Sequence, residues 1–332
     1  MSGTGGRTAP GAARRALRAS LAAPVILARR AQVGGQAVIE GVMMRGVSNW
    51  SLAVRKPDQS IGLHSWPLVS WMVRYPFLKV PILRGVVALI ESLIIGLRAL
   101  TLSASESMGE DEEGERQELT KGQMGVTLFI ALAIAVGLFF LAPLGLTRLF
   151  KAELGTGIGF WLVEGLIRVA IFIIYIAVMT RIPDLRRVFE YHGAEHMSIH
   201  ALEHGEPLTP EACRKYRTLH LRCGTSFLLV VMVVSILVFA LVRYPAWYWL
   251  VLSRIVLIPV IAGVSYEIIK FAGRHEDSSV VRVLMAPGLA LQWMTTRKPN
   301  DAQLEVAISA LEKIIELEPQ DRPPVKGVEV MA

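Results

Sequence analysis

A chain of 332 residues that is 53% hydrophobic and only 19% charged, with a mean hydropathy of +0.46, is too apolar for a pair of aqueous domains and reads as a membrane protein. The net charge of +7 does not call for nucleic acid as a partner, because the lysines and arginines sit mostly beside apolar runs, where positive-inside topology explains them. The two cysteines, Cys213 and Cys223, form no C-x-x-C and argue against a disulfide framework; reduced thiols facing the cytosol fit best.

Residues 1–32 carry Arg7, Arg14, Arg15, Arg18, Arg29 and Arg30 and no acid, which reads as a disordered basic arm attracted to anionic membrane lipid. Its apolar stretch, residues 21–28, is broken by Pro24 and too short to span a bilayer. Residues 33–100 open with a Gly-rich segment in which Ala37-Val38-Ile39 and Leu52-Ala53-Val54 suggest short strands. Glu40 lies there between apolar neighbours, as a ligand or general base, or as a structural carboxylate satisfied by Arg45. Within residues 78–100 only 85–97 lie clear of Arg84 and Arg98, so an interfacial helix is expected, with Arg84 and Glu91 on one face. Residues 101–124, acidic from Glu106 to Glu118, read as a solvated linker.

The fold class expected is therefore mainly α and polytopic, with a small β-containing segment near the N-terminus. Residues 125–270 hold four runs able to cross a core of ~30 Å, at 125–149, 157–180, 225–242 and 246–269. Glu164 and Arg168, four apart in the second run, and Arg254 and Glu267 in the fourth are expected to face the bundle interior. The loop 181–224 is rich in arginine and histidine, which places it and both termini in the cytosol. Residues 271–318 read as a membrane-surface segment broken by Pro287-Gly288 and then a cytosolic helix; 319–332 is a Pro-rich tail.

Chemistry concentrates in residues 191–226, which hold five of the seven histidines and both cysteines. In a helix, His192, Glu195, His196, His200 and Glu203 fall on one stripe about 140° wide. His192, Glu195 and His196 form H-x-x-E-H, the inverse of the zinc-hydrolase H-E-x-x-H, in which two histidines one turn apart hold a metal and the glutamate activates water. The third ligand is open among His220, Cys223, Glu203 and Glu267, and the opposing reading is that the histidines only cap helices and bind carbonyls at the membrane interface.

The segment Gly34–Gly46, the run Arg84–Leu93, Tyr191–His196, His220–Phe227 and the end Gln292–Thr296 together resemble the YqhQ-like family of bacterial membrane proteins, over about residues 33–315. That family carries a domain of unknown function and is described as predicted metal-dependent enzymes. The resemblance implies a bacterial inner-membrane location and metal binding without a substrate. Glu40, His192, Glu195, His196, His220, Cys223 and Glu267 match its motifs; His200 and His204 lie outside them. The leading expectation is a membrane-embedded hydrolase at the cytoplasmic face, with a divalent metal, zinc by donor chemistry, and Glu195 as general base. The alternatives are a non-catalytic metal-binding scaffold or assembly factor and, third, a transporter, for which paired broken helices are lacking.

Overall fold

The computed structural model describes residues 33–108, 121–155, 157–241, 247–275 and 278–318. The basic arm, the centre of the acidic linker, the turn at Arg243 and the tail from Pro319 lie outside the described residues.

Four antiparallel strands in the order β1 (Gly34–Val38), β2 (Gly41–Arg45), β3 (Asn49–Arg55) and β4 (Ile61–Pro67) form one sheet. Alternation along them explains its two buried faces. Val38, Met43, Trp50, Leu52 and Val54 point one way, onto Ile95 and Ala99 of helix α1 (Leu83–Met108). Val42, Met44 and Ala53 point the other way, onto α4 (Pro183–Glu203) and α8 (Asp301–Leu317). Segments at both ends of the chain and in its middle thus build one three-layer unit, tied by Ser51 Oγ donating to the Ala310 carbonyl (2.7 Å). The Asn300 and Gln303 capping box starts α8.

Five helices are long and apolar enough to cross a membrane: α1, α2 (Gly125–Arg148), α3 (Ile158–Met179), α5 (Gly224–Leu241) and the Val256–Arg274 part of α6 (Trp247–Arg274). The chain is a membrane protein. α1 qualifies by length and composition, yet its face Glu91, Ile95, Ala99 and Glu106 is covered by the sheet. The same helix exposes Ile90, Leu93, Ile94, Leu97 and Leu100 on another side. One face covered by the sheet and one bare apolar face suit a helix lying at the interface. α1 runs to Met108, and helix resumes at Lys121, so the ends of the expected linker are helical. α7 (Ser279–Thr295) packs on α5 and α3 and brings its C-terminal turn to α4, despite Pro287.

Arg84, Glu91, Glu164, Arg168 and Glu267 of the apolar helices are paired, while the side chain of Arg254 lies outside the described residues. Arg84 binds Glu267, and Glu91 takes Arg45 (2.8 Å) and the Ser70 hydroxyl (3.0 Å), so Arg84 and Glu91 serve different partners. Glu164 pairs with Arg168, whose guanidinium also lies 5.5 Å from the Phe140 ring centre, beside the π-helical turn Gly137–Leu141.

Candidate functional site

Helix α4 carries the site. Pro183 stands in its first turn, where a missing N–H costs nothing. Its end is a Schellman motif: Gly205, at φ +74°, donates to the Leu202 carbonyl and Glu206 to the Ala201 carbonyl. Tyr191, Ala194 and Met197 turn to the core with α8, while His192, His196, His200 and Glu203 turn to the segment 218–223. Gly193 lets the chain at Arg297 pass close by: a Cβ there would meet the Arg297 carbonyl and Thr218 Cγ2, and the Arg297 amide donates to the Phe189 carbonyl (2.9 Å).

His192, His196 and Cys223 converge, with one donor atom of each lying within 4.8 Å of the others. His192 Nε2 is 3.2 Å from Cys223 Sγ. Adjacent N and S ligands of a tetrahedral zinc stand about 3.5 Å apart, so little movement would be needed to close around one. The tautomers fit as well. His192 Nδ1 donates to the Thr295 carbonyl (2.7 Å) and His196 Nδ1 to the Thr218 carbonyl, which leaves both Nε2 lone pairs free for a metal. His196 is fully buried, and its Nε2 has no hydrogen-bond partner among the described residues. Burial pushes His196 down from the ordinary imidazole range. Burial also acts against charge on His192 and Cys223, but each stabilises the other: the thiolate raises His192 to about 9, and the two imidazoles hold Cys223 well below the usual thiol range.

Glu195 is 1% exposed and neither carboxylate oxygen has a hydrogen-bond partner among the described residues. The Ala37 amide of β1 is turned toward it without reaching hydrogen-bonding geometry. Burial raises its pKa to about 7, against the opposing pull of His192. Its side chain lies on Gly35, where a Cβ would stand 2.8 Å from Glu195 Cγ.

His220 does not join the Cys223 group. It falls with His200 and Glu203 in a second cluster, whose donors also lie within 4.8 Å of one another. Here the hydrogen bonds are complete. The Arg222 amide donates to His220 Nδ1 (3.3 Å), so His220 Nε2 carries the proton and donates to Glu203 Oε2 (3.2 Å). Arg222 pairs with the other oxygen of Glu203, and His200 Nε2 donates to the Leu219 carbonyl (2.9 Å). This cluster buttresses the 218–223 segment.

Glu40 and Glu267 stand apart from both clusters. Glu40, in the β1–β2 turn at φ +51°, is held by Arg187 of α4 and not by Arg45, and Tyr191 Oη donates to it (3.4 Å). Glu267 is the partner of Arg84. Gln292 is fully buried and was not assigned from the sequence: its Nε2 donates to the His220 carbonyl (2.8 Å) and Ser226 Oγ (2.7 Å), and its Oε1 accepts from the His220 amide (2.8 Å). It thereby pins the turn that carries Cys223. Its place in the Gln292–Thr296 motif that carries the family resemblance was its sequence signal, shared by Thr295, whereas the carbonyl of Thr218 had none.

Residues 80–317 match the model of a family described as protein of unknown function (DUF1385). The uncharacterized protein YqhQ of Bacillus subtilis (strain 168) is 35% identical over 297 residues, 86% of this chain and 92% of that protein. No solved structure matches. With nearly three quarters of its length inside the family model and a relative aligned almost end to end, the chain belongs to the DUF1385, YqhQ-like family.

Proposed function

We propose that the protein is a membrane-embedded, metal-dependent hydrolase of the bacterial inner membrane, with its site at the cytoplasmic face and both termini in the cytosol. The observation that carries the reading is the orphaned Nε2 of His196, aligned with His192 and Cys223 beside an orphaned Glu195. Zinc suits two imidazoles and a thiolate, and three ligands leave a position open. A zinc ion there supplies Lewis acidity and brings the pKa of water toward 7. Glu195, tuned near neutrality, takes the proton of the attacking water and returns it to the leaving group. The arginines of the 181–224 segment support the cytoplasmic placement.

A second reading has an observation of its own: His196, Cys223 and Glu195 are all buried and only His192 is partly exposed, which suits a metal that merely stabilises a scaffold. Metal content and complementation of a deletion strain separate the two. In the hydrolase, Glu195→Gln keeps the metal and loses function, whereas His196→Ala loses both. Full complementation by Glu195→Gln favours the scaffold, and stoichiometric metal in a His192→Ala, His196→Ala double variant refutes the metal centre.

A further inference from the structure

β1 is an edge strand, and its position beside the site bears on what the site would cut. The two-residue turn Ile39-Glu40 makes Val38 and Gly41 the closing hydrogen-bonded pair of the β1–β2 hairpin. Antiparallel alternation then bonds Gln36 to Met43 and turns the N–H and C=O of Gly35 and Ala37 away from β2. Gly35, Gln36 and Ala37 are reached by solvent while Gly34 and Val38 are buried. The edge therefore presents two amide and carbonyl pairs about 7 Å apart. Glu195 lies against that stretch: its Cγ, Cδ and Oε1 fill the space where a Cβ on Gly35 would stand, on the sheet face turned to α4, and the Ala37 amide is turned toward its carboxylate. Among the described residues no strand pairs with this edge, which makes it a template for another chain, and a carboxylate buried beside it without a hydrogen-bond partner among those residues is unusual.

Resting on the hydrolase reading, we propose that an extended polypeptide adds to the edge of β1 at Gly35 and Ala37, taking the Ala37 amide over from Glu195, and that the substrate is a peptide amide presented to Glu195. Only a peptide main chain repeats donors and acceptors at strand spacing, so an acyl ester of a lipid would leave the edge unpaired. Gly35, having no side chain, lets the Glu195 carboxylate lie close to the backbone that the incoming strand would pair with. In the reaction, the oxygen of water bonds to the amide carbonyl carbon and the C–N bond breaks. Glu195 carries the water's proton to the leaving nitrogen. The products are a carboxylate and an amine, and no redox partner is needed.

The test uses the purified full-length protein loaded with zinc and β-casein as an unfolded polypeptide. Fragments are read by mass spectrometry, and amide exchange is followed in the Glu195→Gln variant with the polypeptide added. The expected result is cleavage by the wild type and slowed exchange at Gly35 and Ala37 in Glu195→Gln. Ala37→Pro removes one outward donor while sparing the bonded pairs at Gln36 and Val38, so kcat/KM for the peptide falls about tenfold with zinc content unchanged. Zinc-loaded protein that leaves β-casein intact, or hydrolyses only a micellar p-nitrophenyl ester, overturns the proposal and leaves the metal centre standing. Cleavage without protection of Gly35 and Ala37 overturns the edge pairing. Failure to bind zinc removes the hydrolase reading itself.

Discussion

Replacing Gln292 by leucine tests whether a residue outside the proposed ligand set governs the proposed metal centre. The volume barely changes, so no cavity is made, but three hydrogen bonds go: those to the His220 amide, the His220 carbonyl and Ser226 Oγ. Ser226 can turn its hydroxyl and the His220 carbonyl keeps the Cys223 amide (3.3 Å), whereas the His220 amide loses its side-chain acceptor in a buried site. At ~1–3 kcal/mol for the lost acceptor and ~1 kcal/mol for the weakened carbonyl the loss is ~2–4 kcal/mol, offset by ~1 kcal/mol for no longer burying the amide. A net of about 2 kcal/mol falls on the turn between His220 and Cys223. Because that turn positions the thiolate against His192, zinc affinity should drop by ~10–100-fold, the usual effect of losing a group that orients a ligand. Competition with a chromophoric chelator in detergent measures the affinity, and scanning fluorimetry of the metal-free protein measures the destabilisation. Gln292→Glu is the companion variant: it keeps the acceptor for the His220 amide and loses both donors, so it should fall between wild type and leucine. If Gln292→Leu binds zinc as tightly as wild type while losing stability, the amide is only a structural bolt and the coupling to Cys223 is refuted.

Two further outcomes follow from the same geometry. With Cys223 held well below the usual thiol range by the imidazoles and His192 raised to about 9 by Cys223, the metal-free pair shares one proton at neutral pH, which a metal must displace. Zinc affinity should therefore rise about tenfold per pH unit between pH 7.5 and 8.5 and level off above 9. Calorimetry in buffers of different ionisation enthalpy should count about one proton released, and a pH-independent affinity would contradict the thiolate–imidazolium pair. Gly193→Ala should push Arg297 away from α4, since the new methyl would meet its carbonyl, at a cost of ~1–3 kcal/mol. The Thr295 carbonyl moves with it, so the imidazole Nδ1 resonance of His192 should lose its hydrogen-bonded shift in nitrogen NMR; an unchanged resonance would show that the segment after α7 yields elsewhere.

Much of the membrane part was legible because span length and apolarity are local properties, and four of the five qualifying helices stand where the hydropathy places them. Strands β1 and β3 were readable in part, from the short apolar runs Ala37-Val38-Ile39 and Leu52-Ala53-Val54, whereas β4, Ile61–Pro67, with Gly62, His64 and Ser65, reads as a loop until Trp66 is seen stacked on Trp50 (4.2 Å). In the site, helical spacing found His192, Glu195 and His196 but could not divide the remaining candidates. Cys223 and His220 are three residues apart, yet one joins the histidines and the other joins Glu203. That choice is made by main-chain groups: the Arg222 amide fixes the tautomer of His220, and the Thr295 and Thr218 carbonyls fix those of His192 and His196. Glu40 misled for a related reason, since its nearest arginine in sequence, Arg45, sits on the sheet face turned to α1, and the partner that reaches it, Arg187, is 147 residues away.

The three segments that meet at the centre arrive from different layers, and this constrains how it can work. α4 is fixed to the sheet and α8, Cys223 begins α5, and Thr295 ends α7, a helix whose outer side exposes Val280, Val283, Leu284 and Trp293. A metal binding His192, His196 and Cys223 would therefore clamp the sheet-bearing unit to a membrane helix, while the Thr295 carbonyl links that clamp to a helix with an apolar outer face. His192 takes part in both contacts, being the ring that touches Cys223 and Thr295 and the one donor that solvent partly reaches. Movement of α5 or α7 against the sheet would open the site at His192 first, next to the β1 edge where Glu195 rests on Gly35. The burial that favours a scaffold in the resting structure is thus the same packing that a substrate would have to part, and it must part along β1 for Glu195 to be of use.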